Sequence, residues 1–238
     1  MSALRSGGDG TVYLVATSQG HYKDMPGRLQ SRTGLPFGLL TDPSELSASA
    51  LVETRPRYIF FPHWSYRIPP EVYVDYPCVI FHMTDVPYGR GGSPLQNLIL
   101  RGHASTKISA LRCVEALDAG PVYLKRELSL DGSAREIFAR AGKLMEDMII
   151  EIVEREPVPV EQTGEPVLFE RRTPRQSDMS QVETVRGAYD FVRMLDADGY
   201  PHAFLKTEGL HLEFTEARME GDSLVARVEI SRRDDHDL

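Results

Sequence analysis

The sequence predicts an α/β protein with a Rossmann-like, mainly parallel sheet, helices on both faces, and a small C-terminal α+β extension. Short apolar runs alternate with segments of helical spacing over the first two-thirds of the chain. Such alternation is typical of crossover connections within a parallel sheet. We therefore expect a main domain over residues 1–155, a proline-rich linker over 156–180, and an extension over 181–238 made of a helix and a β-hairpin.

Each predicted strand is an apolar or β-branched run bounded by turn residues. The strands are expected at residues 11–16, 36–40, 58–61, 79–82, 107–114 and 122–128. The predicted helices start at a capping residue or at a proline of the first turn. They start near Asp42, Pro69, Ser93 and Ser133; the first runs to Thr54, and the last is a long amphipathic helix to Glu154.

The C-terminal third is divided by turn-forming residues. Three prolines and Gly164 between residues 155 and 166 indicate a linker. Residues 181–195 are expected to form a helix, and residues 203–230 alternate in polarity, with Gly209 and Gly221 indicating hairpin turns. We expect the charged residues 232–238 to be frayed.

Composition limits the classes of partner. The chain has 238 residues and a formal net charge of −8, and its densest basic cluster is Arg171, Arg172 and Arg175. Proteins that neutralise nucleic-acid phosphates usually carry a basic patch, so no nucleic-acid partner is expected. The chain lacks both an apolar run of the ~20 residues that cross a bilayer and a secretory signal, which predicts a cytoplasmic protein without membrane contact. The two cysteines, Cys78 and Cys113, are expected to be reduced.

The spacing of the glycines and histidines argues against dinucleotide, phosphate-loop and metal sites. Gly7, Gly8 and Gly10 precede the first predicted strand, whereas a dinucleotide fingerprint follows a strand and opens a helix. The sequence contains no phosphate loop of the Walker type. Its histidines show neither HExxH nor another paired metal spacing, so we expect no metal site.

The residues that indicate chemistry lie between positions 81 and 120. His82 ends an apolar strand, at the sheet edge where open α/β folds place ligand groups. The following loop contains three glycines, which allow close approach of the backbone, and Arg90, which offers a planar cation. A second element is the turn Leu117-Asp118-Ala119-Gly120. Taken singly, these features also fit a tight strand-to-helix turn with a surface arginine and an ordinary loop.

Together they resemble the signature of the formyltransferase family, which includes glycinamide ribonucleotide, methionyl-tRNA and amino-sugar formyltransferases. The resemblance covers roughly residues 58–175. It rests on His82, Pro87, Arg90, Gly91, Pro94, the Leu117-Asp118-Ala119-Gly120 turn, and Arg171, Arg172 and Pro174. It implies that His82 and Asp118 are two of three catalytic residues. His82 would donate a hydrogen bond to the oxyanion that forms when an amine attacks a formyl carbon, and it would shuttle a proton. Asp118 would orient the ring and accept the proton.

The third family residue, an asparagine two positions before the histidine, is replaced by Ile80. The loop also has Asp85-Val86 where the family has two leucines. Loss of one oxyanion donor typically costs a factor of about 10² to 10³ in rate, so an active enzyme should carry a substitute donor. The candidates are Asn97, Thr84, Ser65 and an ordered water.

The resemblance also implies ligands. The formyl donor would be N10-formyltetrahydrofolate, bound by residues of two loops, namely Trp64, Ser65, Tyr66, Glu115, Ala116 and Leu117. The acceptor is predicted to be a UDP-linked 4-amino-dideoxy sugar, as in pseudaminic-type pathways of nonulosonic acids. Its expected contacts are Thr84, Tyr88, Gly89, Arg90, Gly91 and Arg171. A methionyl-tRNA or other small-amine formyltransferase, a folate-binding pseudoenzyme, and a homodimeric assembly stay open.

Overall fold

The structure is a computed structural model, and it describes residues 12–232. Gly7, Gly8, Gly10, Thr11 and the charged residues 233–238 therefore lie outside the described part. The strands within it are β1 Tyr13–Ala16, β2 Phe37–Leu40, β3 Tyr58–Phe61, β4 Cys78–His82, β5 Tyr88–Gly91, β6 Ser105–Arg112, β7 Val122–Ser129, β8 Val167–Phe169, β9 Ala203–Lys206, β10 Leu210–Glu220 and β11 Ser223–Arg232. The α-helices are α1 Met25–Thr33, α2 Ala48–Leu51, α3 Pro70–Asp75, α4 Pro94–Leu100, α5 Ala134–Arg155 and α6 Val185–Arg193.

The main sheet has six strands in the order β2-β1-β3-β4-β6-β7. The pairs β1–β2, β1–β3 and β3–β4 are parallel, and β4–β6 is antiparallel. The sequence Tyr-Leu-Val-Ala of β1 is buried throughout, as expected for a strand covered on both faces. The predicted fold class, a mainly parallel Rossmann-like sheet with helices and a C-terminal α+β part, is confirmed.

The chain forms two compact units within the described residues. The first unit comprises residues 12–90, 107–127 and 141–167, and the second comprises residues 91–106, 128–140 and 168–232. The core of the first unit includes Leu14, Ile59, Phe61 and Val72, all with less than a twentieth of their surface exposed. The residue boundaries predicted at 155 and 180 stay predictions.

Helix α1 is an element that the sequence reading omitted. It has a proline in its first turn, and it ends at Gly34, whose φ of 73° suits glycine and whose N–H donates to the Gln30 carbonyl at 2.8 Å. Its fully buried hydrophobic residues are few, chiefly Met25 and Leu29. A stripe this thin gives a weak helical period, which explains the omission.

The helix expected from Asp42 to Thr54 is wrong in extent. Asp42 does cap a turn, since its carboxylate accepts from the Ser44 N–H at 2.8 Å, but that turn is a 3-10 helix ending at Glu45. A second cap, Ser47, then begins the short helix α2. Because the two capping residues lie five positions apart and each begins a new helical segment, both segments are short.

Two segments expected to be irregular contain strands. Tyr88–Gly91, expected to be a loop, is β5, and Val167–Phe169, within the predicted linker, is β8; the two form a short sheet. Each run is too short to show a period in the sequence. The linker is also fixed at Val160, which exchanges two backbone hydrogen bonds with Val122, of 2.7 and 2.9 Å.

The second unit contains a three-stranded antiparallel sheet in the order β11-β10-β9. The expected hairpin is β10–β11, which turns at Gly221 with φ 59°, and the Gly209 turn joins β9 to β10. Glu216 has a φ of 54° at a register shift in β10, and its N–H donates to the buried Asp196 carboxylate at 2.8 Å.

Candidate active site

The strand β4 places His82 at the carboxyl end of the parallel strands. Its imidazole is nearly buried, with 9% of the side chain exposed, and both ring nitrogens face oxygen atoms. Nδ1 lies 3.5 Å from Oδ2 of Asp118, and Nε2 lies 2.7 Å from the carbonyl oxygen of Gly89. The structure thus brings together the histidine and the aspartate that the sequence paired.

These contacts restrict the protonation of the ring. A carbonyl oxygen can only accept, so Nε2 carries the hydrogen that is donated to Gly89. Nδ1 then faces the carboxylate of Asp118. A carboxylate in this position can orient an imidazole ring and assist it in moving a proton.

The turn that carries Asp118 has a demanding backbone. Asp118 adopts a φ of 51°, a left-handed conformation that is unusual for a residue with a side chain. A Cβ added at Gly120 would lie 1.8 Å from the Arg112 carbonyl oxygen, so only glycine fits there. The close packing of Gly120 against β6 fixes the end of the turn, two residues beyond Asp118.

Gln162 connects this turn to the loop arginine. Its amide nitrogen donates to the carbonyls of Asp118 at 2.9 Å and Gly120 at 2.8 Å. Its amide oxygen accepts from Nε of Arg90 at 3.0 Å and from Nη2 at 2.7 Å. Gln162 lies in the predicted linker, and no sequence motif marked it.

The start of the loop after β4 is held by charge. The Asp85 carboxylate accepts from Lys107 at 2.8 Å and Lys125 at 2.5 Å, and Lys125 also donates to the Val86 carbonyl at 2.6 Å. Burial tends to raise the pKa of Asp85, but the hydrogen bonds and charges of the two lysines outweigh it and lower that pKa. Val86–Pro87 is a cis peptide.

Ile80 occupies the position of the family asparagine and packs against the apolar cluster of the first unit, as do Trp64 and Cys113. Two residues apart on one strand, Ile80 and His82 share a face of the sheet. This face therefore presents an alkyl group where the family presents an amide donor.

Burial, and then the negative charge of Asp118, raise the pKa of Cys113 to about 11, so its thiol is protonated at neutral pH.

The candidate replacement donors are already engaged. The buried Thr84 hydroxyl donates to the Gly89 carbonyl at 3.3 Å, and the exposed Ser65 hydroxyl lies 3.0 Å from that of Ser18. The Asn97 amide donates to three carbonyl oxygens, those of Gly92, Ser93 and Glu170, at 3.0–3.1 Å. Thr84 is the one that shares its acceptor with His82.

The loops assigned to the folate expose aromatic and apolar surface. The rings of Trp64 and Tyr66 meet edge to face at 5.2 Å, and Tyr66 is 51% exposed. Leu117 is 71% exposed, and Glu115 and Ala116 beside it are exposed as well. The buried indole Nε1 of Trp64 has no hydrogen-bond partner among residues 12–232. The folate assignments of these residues and of Ser65 stay predictions.

The residues assigned to the acceptor fall in both units. Thr84, Tyr88, Gly89 and Arg90 belong to the first unit, and Gly91 and Arg171 to the second. Gly91 has a φ of 111°, and a Cβ there would lie 2.4 Å from the Phe169 carbonyl oxygen, so glycine is required. Arg171 is exposed, whereas the neighbouring Arg172 lies over the Phe191 ring at 5.4 Å. Their contacts with a substrate stay predictions.

Within the described part of the chain, no three histidine, cysteine, aspartate or glutamate side chains are grouped as a metal site would require. None of the helices between residues 12 and 232 combines the length and the apolar character of a membrane span.

Known proteins resemble both the sequence and the fold. Residues 174–231 match the family model described as methionyl-tRNA formyltransferase, C-terminal domain. The chain is 27% identical over 162 residues to the methionyl-tRNA formyltransferase of Bacillus pumilus, which covers 64% of this chain and 50% of that protein. It spans half or less of the length of the curated relatives that it matches.

Solved structures extend the similarity to nearly the whole chain. A methionyl-tRNA formyltransferase from Clostridium thermocellum has a TM-score of 0.90 and 42% identity, covering 94% of this chain and 100% of that one. A 4-N formyltransferase from Francisella tularensis has a TM-score of 0.65 and 14% identity, covering 84% and 94%, and shares the fold alone. With a 42% identical relative covered over its full length, this chain belongs to the formyltransferase family.

Proposed function

We propose that this chain moves a formyl group from N10-formyltetrahydrofolate to an amine, and that His82 and Asp118 carry the reaction. The supporting observation is the buried contact between the two side chains, with Nδ1 of His82 3.5 Å from the Asp118 carboxylate. Attack of an amine on a formyl carbon creates an oxyanion and a surplus proton. The Nε2–H of His82 can donate to the oxyanion, while the Asp118 carboxylate orients the ring and accepts the proton of the attacking amine. When the tetrahedral centre collapses, the bond from the formyl carbon to N10 of the donor breaks, and the proton passes to N10 of the departing tetrahydrofolate.

The exposed side chains of the two folate loops fit the donor. Tyr66 and Leu117 offer aromatic and apolar surface to a flat heterocycle. A bound folate would supply the formyl carbon. For this chain, the required change is at His82, whose Nε2–H must turn from the Gly89 carbonyl toward the developing oxyanion.

As acceptor we propose a nucleotide-linked amino sugar of the UDP-4-amino-dideoxy type. The charge of residues 174–231 supports a small acceptor, because this segment has eleven acidic and six basic residues. A surface that neutralises tRNA phosphates requires the opposite balance. The exposed Arg171 guanidinium is suited to a sugar-linked diphosphate.

Methionyl-tRNA is the second candidate acceptor. The names of the 42% identical relative and of the matched C-terminal family model favour it. The two acceptors differ in their demand on charge, since tRNA binding weakens steeply with salt while binding of a small diphosphate depends on few contacts.

A direct assay separates these acceptors. Purified protein would be supplied with N10-formyltetrahydrofolate and either a UDP-4-amino-4,6-dideoxy sugar or methionyl-tRNA, and the formylated product would be detected by mass spectrometry. We expect the sugar to be formylated, and we expect D118N to lower kcat by about 10²-fold or more, as for a lost catalytic proton acceptor.

Two results would oppose the proposal. Turnover with methionyl-tRNA alone would replace the sugar by the second candidate. Folate binding without turnover on any amine would identify a pseudoenzyme, and the formyl-transfer proposal would fail.

A further inference from the structure

We propose that Gln162 is a positioning residue that holds the Asp118 turn against the arginine of the loop after β4. This inference rests on the proposed formyl transfer by His82 and Asp118. It assigns a role to a residue outside the family signature, in a stretch that composition marks as a linker.

The hydrogen-bonding capacity of Gln162 is fully used within the first unit. A glutamine amide has two N–H donors and one oxygen. Both donors are directed at carbonyls of the catalytic turn, those of Asp118 and Gly120, and the oxygen receives two N–H groups of Arg90. Four bonds to three partners fix one side chain in one orientation.

The surroundings of Gln162 set it apart from its neighbours. Residues 161 and 163–168 are exposed, whereas Gln162 is half-buried. Two positions earlier, Val160 is fixed by its paired backbone hydrogen bonds to Val122. The segment is thus anchored to β7 immediately before its side chain enters the site.

The turn needs such support because its backbone is strained. A non-glycine residue at positive φ is strained, and it persists only where its surroundings hold it. Asp118 has a φ of 51°, and its carbonyl points to Gln162, so the bond acts on the residue whose carboxylate faces His82. Release of that carbonyl would let the carboxylate move from Nδ1.

Two substitutions distinguish the role of the Gln162 amide nitrogen from that of its oxygen. Q162A removes every bond, while Q162E keeps an oxygen for Arg90 and replaces the donors by an oxygen that repels the Asp118 and Gly120 carbonyls. The matched control is Q176A, because the Gln176 oxygen accepts from the Thr173 N–H at 2.7 Å in a capping role within the same predicted linker.

Steady-state kinetics on the full chain form the first arm. We expect kcat to fall about 10- to 100-fold in both Q162A and Q162E, the range for a reacting group misplaced by about 1 Å. KM for either substrate should change far less, and Q176A should keep the wild-type kcat. A wild-type kcat in Q162E would overturn the inference, as would an equal loss in Q176A.

The second arm does not depend on turnover. The ring ¹⁵N signals of His82, recorded by NMR in the free protein, report its contact with Asp118. We expect them to shift in Q162A and Q162E and to stay unchanged in Q176A, with all three variants folded by circular dichroism. Unchanged His82 signals in the Gln162 variants would overturn the positioning role, even if the wild type formylates no acceptor and the proposed function itself fails.

Discussion

At the scale of single residues, the loop after β4 is held by ions where the family pattern has apolar side chains. Asp85 stands in place of a leucine, and both lysines that bind it come from the neighbouring strands β6 and β7. Because Lys125 also holds the Val86 carbonyl, the same cation links the carboxylate to the backbone of the loop. The substitution thus replaces packing by a polar clamp two residues before Pro87.

We expect D85N to lower the unfolding free energy at neutral pH by on the order of 1 kcal/mol or less, since the group is partly exposed. The folded pKa of Asp85 is lowered, so its contribution is present above the unfolded value of about 3.9 and is lost as pH falls through the folded value. Urea denaturation at pH 7 and pH 3 should show that the difference in unfolding free energy between wild type and D85N is smaller at pH 3.

The control for this variant is D147N, which removes a single exposed pair with Arg32. It should leave kcat unchanged, whereas D85N should lower kcat by loosening the loop. If the unfolding free energies of wild type and D85N differed equally at both pH values, the stabilising role of the Asp85 carboxylate would be contradicted.

The residues of the candidate site that the sequence predicts are those whose types are tied to chemistry. His82 and Asp118 stood in recognisable patterns, and the structure brings them together. Gln162 was missed because a lone glutamine in a proline-rich stretch has no pattern, and its function depends on two carbonyls supplied by a distant turn. Hydrogen bonds to the backbone leave no trace in residue type.

At the scale of elements, α6 is fixed by one buried arginine. Arg193 is 6% exposed and donates to the Leu130 carbonyl at 2.5 Å, the Gly132 carbonyl at 2.9 Å and the Asp190 carboxylate at 2.6 Å. These carbonyls lie directly before α5. Within the second unit, the arginine therefore joins α6 to the segment before α5 through the backbone carbonyls of that segment.

We expect R193A to destabilise the protein by about 2–3 kcal/mol, because it leaves the carbonyls of Leu130 and Gly132 without the buried guanidinium that donates to them. R186A is a close control, since Arg186 pairs with the same Asp190 at 3.1 Å from an exposed position, and its loss should cost about 0.5 kcal/mol. Thermal and urea unfolding would measure both. Similar losses in the two variants would contradict the anchoring role of Arg193.

The elements that the sequence predicted are those with a strong local signal. The parallel strands are continuous apolar runs, and α5 begins where Ser133 and Glu136 form reciprocal hydrogen bonds at the helix start. Helix α1 and strands β5 and β8 lack such signals, since they are short or sparsely apolar and are stabilised by contacts with other segments. Their positions follow from the tertiary structure rather than from local preference.

At the scale of the whole molecule, charge distinguishes the proposed acceptor from tRNA. The chain carries a net charge of −8, and the acidic excess extends through the segment that matches the tRNA-enzyme domain. Long-range repulsion of a polyanion acts over about 8–10 Å at physiological salt. A small diphosphate needs only local cations, and we propose that the basic cluster of Arg171, Arg172 and Arg175 supplies them.

This charge distribution predicts the effect of the double variant R171A/R175A. We expect its KM for the UDP-linked amino sugar to rise by about 10-fold, as for the loss of one or two charge-assisted hydrogen bonds. Binding of methionyl-tRNA, followed by filter retention between 50 and 200 mM salt, should stay in the non-specific range of about 10⁻⁴ M or weaker for wild type and variant alike. The opposite pattern, tight tRNA binding with a steep salt slope that the variant reduces and an unchanged sugar KM, would place the arginines on a tRNA and favour the second acceptor.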